Sequence, residues 1–334
     1  MVLDLLQTPI IRRFLGAILL FPVIYFSIAG ALIISQWPKE LNTGGKGLDF
    51  SKITSKSAIN PPVPDILPMR DGYALPVRVY GRENQGTLVV LIHGSGWHGL
   101  QYHALATELS KRAVVAVPDL RGHGAAPEKR GDVDHIGQFE EDMADLIDHM
   151  RSDNQQVVVA GHSSGGGLVV RMVGGPYKDR IDKAILLAPF LKYDAPTMRP
   201  NSGGWAFALT RRLIGLSMLN QVGIKGLNDL TVIQFAIPNS VLNGPLGHTA
   251  TPSYSYRLNA SYAPRNDYLA DIKQLPPFLL LVGKEDEAFV ADAFQPLLSS
   301  VSDKGSYHLI EGVGHLDIVN NSRAHELIKQ FIQQ

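Results

Sequence analysis

Short, wholly apolar runs recur along most of this chain, and they constrain its fold more than any other feature. Each run has the length of a buried strand and leads into a turn or a polar segment. Stretches with apolar residues at helical spacing lie between the runs, for example Phe139, Met143 and Leu146. This alternation predicts an α/β fold with a doubly wound, mostly parallel sheet. The runs are TLVVLIHG at 87–94, VVAVPDL at 114–120, QVVVAGHS at 156–163, KAILLAPF at 183–190, PFLLLVG at 277–283 and SYHLIEG at 306–312.

The globular part predicted by this alternation extends over residues 66–334. It opens with an antiparallel pair that turns at Asp71-Gly72, and it closes with a helix beginning near Ser322. Residues 36–65 are rich in Gly, Pro and polar side chains and show no sustained period, so we interpret them as a linker.

One segment interrupts the alternation of strands and helices. Roughly 85 residues separate Phe190 from Pro277, far more than an ordinary connection between two such elements. We interpret about 192–272 as a helical cap insertion, folded over the sheet edge that carries the active site. The alternative is an extension with no role in binding. The cap tyrosines either line a pocket or pack within the cap; they are Tyr254, Tyr256, Tyr262 and Tyr268.

The amino terminus differs from the rest of the chain because residues 14–35 carry no charge. A helix of this length spans roughly 33 Å, which matches the hydrocarbon core of a bilayer. We therefore predict a single transmembrane anchor after a short tail, residues 1–13. The alternative is a signal sequence cleaved at the small residues 29–31, but the apolar run continues past that point, which favours a retained anchor. The pair Arg12 and Arg13 favours an inside N-terminus and an extracytoplasmic main domain.

The balance of charges excludes one class of partner. The 31 Lys and Arg residues equal the 31 Asp and Glu residues, so the formal net charge is zero. This removes the electrostatic basis for nucleic-acid binding. Cysteine is absent, which excludes disulfides, thiolate metal sites and a cysteine nucleophile.

The pentad Gly161-His162-Ser163-Ser164-Gly165 predicts a nucleophilic serine. A β-branched run precedes it and the helix-like LVVRMV follows it, which is the strand–turn–helix context of a nucleophile elbow. The glycines give room for the strained turn that exposes Ser163 at the carboxyl edge of the sheet. A serine hydroxyl needs a base to take its proton.

The base and its acid are predicted from the loops that follow the last two strands. His315 lies in EGVGHLD, and an imidazole side chain can accept and return a proton, so it suits a general base. Asp286 lies in the turn VGKEDEAF and would hold the imidazole in the correct tautomer. Alternatives for the acid are Glu285 and Glu287, which we interpret as solvated surface charges, and Asp194 after an earlier strand.

The oxyanion of an acyl-transfer intermediate needs preorganised N–H donors. We predict the backbone amides of Ser164, just after the nucleophile, and of Ser95, in the Gly-rich loop after the run at 87–94. No cofactor and no metal are expected. The nearby histidines have Gly, Ser and Trp rather than carboxylates as neighbours, which argues against a metal site; they are His93, His98 and His103.

Several motifs in this order resemble the monoacylglycerol lipase/lysophospholipase branch of the α/β-hydrolases, also described as serine aminopeptidase S33-type. They are HGSGWHG, PDLRGHG, GHSSGG, the turn carrying Asp286, and GVGH. The resemblance extends over about residues 68–334. It implies a carboxyl-ester hydrolase with a lid over an acyl pocket, a triad of Ser163, Asp286 and His315, and an oxyanion hole from Ser95 and Ser164. Ser164 departs from the methionine frequent at that position.

The leading hypothesis is a membrane-anchored serine hydrolase that cleaves carboxylic esters of lipid or acyl-chain substrates through an acyl-enzyme. The apolar cap and the predicted anchor both favour a substrate that partitions into a bilayer. The same triad also serves peptidases, thioesterases and perhydrolases, since it does not fix the leaving group. A non-catalytic, membrane-tethered binding module is a further alternative.

Overall fold

The computed structural model describes residues 9–41, 47–50 and 60–334. The first residues of the predicted tail and two stretches of the predicted linker lie outside the described residues. The strands are β1 (Asp65–Pro68), β2 (Ala74–Tyr80), β3 (Leu88–Ile92), β4 (Val114–Pro118), β5 (Val157–His162), β6 (Lys183–Leu187), β7 (Ala206–Ala208), β8 (Thr231–Phe235), β9 (Ser253–Ser255), β10 (Phe278–Gly283) and β11 (Gly305–Ile310).

The α-helices alternate with these strands. They are α1 (Pro9–Ile34), α2 (His103–Leu109), α3 (Gln138–Met150), α4 (Ser164–Val173), α5 (Thr210–Gln221), α6 (Asn239–Leu242), α7 (Tyr256–Tyr262), α8 (Tyr268–Lys273), α9 (Phe294–Ser299) and α10 (Ser322–Gln333). Short 3-10 turns complete several of the connections.

Eight strands form one sheet in the order β1-β2-β4-β3-β5-β6-β10-β11. Strand β2 pairs antiparallel with β1 and with β4, and every other pair in this sheet is parallel. The predicted mostly parallel, doubly wound sheet is confirmed. Its parallel strands end at one edge, so the loops after β3, β5, β10 and β11 meet there.

Both faces of this sheet are buried, which explains why its central strands read as continuous apolar runs. Along β3, Leu88, Val90 and Ile92 belong to one core cluster. Val89 and Leu91 point the other way, into a second cluster that includes residues of α2 and α10. Successive side chains therefore pack on opposite faces, as the period of two in a strand requires.

The segment between β6 and β10 contains more than helices. Strands β7, β8 and β9 form a separate antiparallel sheet, and α5 to α8 surround it. The cap predicted as helical thus contains a sheet as well. The strands are only three to five residues long, and their pairing partners are distant in the chain, so no local period indicated them.

Helix α1 packs along α5 of the cap. A Cβ atom at Gly215 would lie 2.6 Å from the carbonyl oxygen of Ala29, so the absence of a side chain allows the two helices to approach closely. Ala29 and Ile33 are buried there against Leu216 and Leu219. The buried guanidinium of Arg212 donates to the carbonyl oxygen of Ile33, at the end of α1.

Within the part of the chain that the structure describes, no helix has both the length and the apolar character that a membrane crossing requires. The structure therefore does not establish the transmembrane segment predicted at residues 14–35.

Candidate active site

Ser163 lies on a sharp turn between β5 and α4. Its backbone has φ 55° and ψ −121°, a region that side-chain-bearing residues rarely adopt and that stores strain. The flanking glycines allow it: a Cβ at Gly161 would lie 2.2 Å from the carbonyl oxygen of Gly165, and a Cβ at Gly165 would lie 2.3 Å from that of Ile92. Larger residues at either position would force this turn apart.

His315 and Asp286 form a buried pair in the neighbouring loops. His315 Nδ1 lies 2.8 Å from Asp286 Oδ2, and both side chains are almost completely buried. The other carboxylate oxygen, Oδ1, accepts the backbone amides of Ala288 and Phe289 at 2.9 and 2.7 Å. Because Oδ1 is already held by two amides, Oδ2 is directed at the imidazole. An imidazole that donates from Nδ1 keeps a lone pair on Nε2 for accepting a proton.

The two glutamates beside Asp286 hold the backbone of the His315 loop. Glu287 Oε2 accepts the backbone amide of His315 at 2.7 Å, and Glu285 Oε2 accepts that of Val313 at 2.9 Å. The prediction that both glutamates are solvated surface charges is therefore incomplete. The sequence does not indicate this role, because only the folded pairing of β10 with β11 brings Glu285 and Glu287 beside the loop of His315.

The two residues predicted to form the oxyanion hole are linked to each other. Ser95 Oγ lies 2.6 Å from Ser164 Oγ. Ser164 is the first residue of α4, so its amide has no acceptor within the helix. Ser95 lines the same pocket as Ser163 and His315. The structure thus brings the predicted loop and the predicted helix start together beside Ser163.

Two cap tyrosines fix the loop that carries Ser95. The Tyr254 hydroxyl accepts the backbone amide of Gly96 at 2.6 Å and donates to His123 Nε2, whose Nδ1 donates to a backbone carbonyl. The Tyr262 hydroxyl donates to the carbonyl oxygen of His93. Both tyrosines are buried, and their pKa values are raised because burial disfavours the phenolate. Of the two roles considered for the cap tyrosines, these two therefore pack within the core and do not line the pocket beside Ser163.

His162, just before Ser163, contacts the loop of His315 through its ring. Its Nε2 donates to the carbonyl oxygen of His315 at 2.9 Å, and the two rings lie 4.7 Å apart. Burial holds the pKa of His162 well below the ordinary value, so this imidazole stays neutral. Its remaining nitrogen, Nδ1, has no hydrogen-bond partner among the described residues.

The other candidates from the sequence lie elsewhere or have structural roles. Asp194 lies at the surface, 3.6 Å from the ammonium group of Lys192. His93 Nε2 accepts the backbone amide of Leu120, and His98 Nδ1 accepts that of Leu100. Among the described residues, no three acidic or histidine side chains cluster closely enough to hold a metal ion.

The pocket beside Ser163 is mostly apolar and nearly filled. Its free volume is about 20 Å³, which is room for one water molecule. Besides the residues already described, its walls come from the loops after β3 and β11, from the cap and from the described part of the linker. They are Leu48, Phe50, Gly94, Trp97, Gln101, Trp205 and Leu316.

Comparisons with known proteins agree with this architecture. A sequence model of the family described as serine aminopeptidase, S33, matches residues 83–321. An uncharacterized protein of Mycobacterium tuberculosis is 30% identical over 117 residues, which cover 35% of this chain and 32% of that protein. The monoacylglycerol lipase of Mycolicibacterium smegmatis is 31% identical over 105 residues, which cover 30% of this chain and 37% of the lipase.

A solved structure extends the likeness over most of the chain. A soluble variant of monoglyceride lipase from Saccharomyces cerevisiae, in complex with a substrate analog, superposes with a TM-score of 0.62 at 15% identity. The superposition covers 83% of this chain and 96% of that one, and at this identity it shows the fold alone.

The chain spans about a third of the length of the curated relatives it matches. The family match, in contrast, extends from β3 through the loop after β11. That range contains every loop of the pocket described above except the linker residues. On this match the chain belongs to the serine aminopeptidase S33 family of the α/β-hydrolases, and it is similar to their monoacylglycerol lipase branch.

Proposed function

We propose that this protein is a serine hydrolase that cleaves carboxylic esters with an apolar acyl chain, through an acyl-enzyme. Ser163 is the nucleophile, His315 the general base and Asp286 the acid that orients it. The observation that carries the proposal is the Asp286–His315 pair at 2.8 Å, because His315 lines one pocket with a serine on a strained elbow. Asp286 fixes the tautomer that leaves Nε2 free to accept the serine proton.

The reaction follows from these groups. Ser163 Oγ attacks the ester carbonyl carbon while His315 Nε2 takes the hydroxyl proton. The carbonyl oxygen becomes an oxyanion, which the backbone amides of Ser95 and Ser164 stabilise. When the C–O bond breaks, His315 returns the proton to the departing alkoxide, which leaves as the alcohol. A water molecule then repeats the sequence on the acyl-enzyme and releases the carboxylic acid.

The apolar lining supports an acyl chain as the group recognised. Trp97, Trp205 and Leu316 line the pocket with Ser163, with few charged groups nearby. Transfer of an acyl chain from water to such a surface lowers the free energy. Relatives named monoacylglycerol lipase point to the same class of substrate for this chain.

We also propose that the N-terminal segment holds the protein at a lipid surface as a single-pass anchor, with the hydrolase domain on the extracytoplasmic side. Large apolar side chains of α1 are exposed, among them Phe21 (70% exposed) and Val23 (61%). Isolated exposed apolar residues are common, but a row of them on one helix indicates an apolar partner. The sequence supports this through the uncharged run at residues 14–35.

The test uses a fluorophosphonate probe and a series of p-nitrophenyl esters. The wild-type chain is expected to be labelled and to hydrolyse the esters, whereas Ser163→Ala should lose labelling and at least about 10³-fold in turnover. Ser202→Ala, a serine in the cap, is the matched control and should retain both. Labelling that persists in Ser163→Ala would contradict the nucleophile, and faster cleavage of matched amides than of esters would contradict the reaction class.

A further inference from the structure

A short piece of the linker reaches into the pocket beside Ser163. We call residues 47–50 the strap. Leu48 and Phe50 are only 8% and 6% exposed, whereas Asp49 between them is exposed. In an extended segment alternate side chains share one side, so Leu48 and Phe50 both point into the protein. Both side chains line the pocket with Ser163 and His315.

The strap is held in the pocket by aromatic contacts. The centroid of the Phe50 ring lies 5.6 Å from that of Trp97, in the loop after β3. It lies 5.6 Å from the ring centroid of Trp205, in the cap. A Cβ built on Gly47 would lie 3.8 Å from the carbonyl oxygen of Gly204 in the cap, so the strap runs alongside this segment. These contacts join the strap to both walls of the pocket.

The space that remains does not accommodate an acyl chain. The free volume beside Ser163 is about 20 Å³, enough for one water molecule. A chain of several methylene groups would therefore have to displace side chains that now fill the pocket. Trp97 and Trp205 belong to packed parts of the domain and the cap, whereas Leu48 and Phe50 come from the linker.

We propose that the strap is an internal competitor of the substrate: Leu48 and Phe50 occupy the acyl-chain site, and an apolar acyl chain binds by displacing them. This inference rests on the proposed function for the identity of the ligand. Only the fraction of molecules with the strap displaced binds substrate, so the strap raises the apparent dissociation constant by the inverse of that fraction. Weakening the strap is therefore expected to strengthen binding of long acyl chains.

The first test compares KM values for p-nitrophenyl acetate and octanoate in the full-length chain. Phe50→Ser removes the ring and is expected to lower KM for the octanoate by about tenfold, with a smaller effect on the acetate. Phe50→Leu keeps an apolar side chain, so its KM for the octanoate should lie between those of the wild type and of Phe50→Ser. Phe207→Ser, which removes an exposed ring from the cap, is the matched control and should leave both KM values unchanged.

A rise in KM for the octanoate in Phe50→Ser would overturn the proposal, because it would mean that Phe50 is a permanent wall that contacts the acyl chain. An equal fall for both esters would also overturn it, since the strap would then block the leaving group and not the acyl chain.

The second test does not depend on turnover. The chain contains no cysteine, so Leu48→Cys introduces a single thiol and leaves the ring of Phe50 in place. In a Ser163→Ala/Leu48→Cys chain, octanoate is expected to speed maleimide labelling severalfold, because the bound chain displaces the strap into solvent. Octanoate that slows labelling, or leaves it unchanged, would overturn the proposal. If octanoate speeds labelling although the wild-type chain hydrolyses no ester, the proposal about the strap is supported and the proposed function is wrong.

Discussion

The hydroxyl groups of Ser95 and Ser164 lie 2.6 Å apart and join the two backbone segments proposed to form the oxyanion hole. Neither hydroxyl is the proposed donor, because the backbone amides carry that role. The hydrogen bond instead fixes the loop after β3 against the start of α4. Stabilisation of an oxyanion depends on donors that are already in position, so a link between the two segments contributes to preorganisation.

We predict that Ser164→Ala lowers kcat by about tenfold and changes KM little, because both donors remain but their spacing is less fixed. Ser95→Ala should have a similar effect. The double variant should lose little more than either single variant, since each one already breaks the same hydrogen bond. Steady-state kinetics on an ester substrate measures this. Losses that multiply in the double variant would show that the two hydroxyls act separately.

The carboxylates at 285–287 lead to a second prediction. Asp286→Asn is expected to lower kcat by on the order of 10³–10⁴, because an amide no longer holds the imidazole in the productive tautomer. Glu287→Gln keeps an oxygen that accepts the backbone amide of His315, so its activity should stay within about threefold of wild type. Glu287→Ala removes that acceptor and should cost about tenfold in kcat.

The readout that separates these roles is the pH profile of kcat/KM, which reports the ionisation of the free enzyme's base. Glu311→Gln, an exposed acid after β11, is the matched control and should change nothing. A Glu287→Gln variant as inactive as Asp286→Asn would mean that Glu287, and not Asp286, orients the imidazole of His315.

The sheet was predictable from the sequence because its strands are buried on both faces and therefore read as unbroken apolar runs. The same pattern located the candidate site: Ser163, Asp286 and His315 each follow such a run directly, and parallel strands end at a common edge. Residue type then narrowed the candidates for nucleophile, base and acid, since few other polar side chains in those turns suit these roles.

Other parts of the site depend on contacts that no local pattern indicates. Tyr254 reaches the loop that carries Ser95 only because the cap folds back over the sheet, and nothing in the sequence around Tyr254 distinguishes it from Tyr256. Phe50 lies in a segment whose Gly- and Pro-rich flanks indicate a linker, and its burial results from Trp97 and Trp205, which are distant in the chain. Tertiary packing decides both positions.

Buried histidines predict how stability depends on pH. Burial lowers the pKa of His98 to about 3, and it also lowers the pKa values of His93, His123 and His162. In the unfolded chain these imidazoles take up protons near pH 6.5. The unfolded state therefore binds more protons below about pH 6.5, and the free energy of unfolding falls as the pH falls, by up to about 1.4 kcal/mol per pH unit for each histidine.

The melting temperature is accordingly expected to decrease between pH 7.5 and pH 5.0, which thermal unfolding monitored by circular dichroism measures. His98→Asn removes one of the four groups and keeps an oxygen that accepts the amide of Leu100, so it should make this decrease smaller. His149→Asn, at an exposed position on α3, is the control and should leave the slope unchanged. An identical slope in His98→Asn would mean that this imidazole is protonated in the folded state.

The N-terminal segment gives the last prediction, on association with lipid. The full-length protein is expected to float with phosphatidylcholine vesicles and to remain bound in 1 M NaCl, because burial of apolar side chains is not screened by salt. Phe21→Asp and Val23→Asp each place a charge on the exposed side of α1 and should lower the bound fraction severalfold.

Val63→Asp introduces the same charge at an 84% exposed valine outside α1, so the bound fraction of this control should equal that of wild type. Equal losses in all three variants would mean that added negative charge, and not the apolar side of α1, governs binding. Sequencing the N-terminus of protein recovered from cells separates the two interpretations of residues 14–35. A chain beginning at Leu32 would have lost Ala29, which packs against Gly215 of the cap, and would be expected in the medium and not with the vesicles.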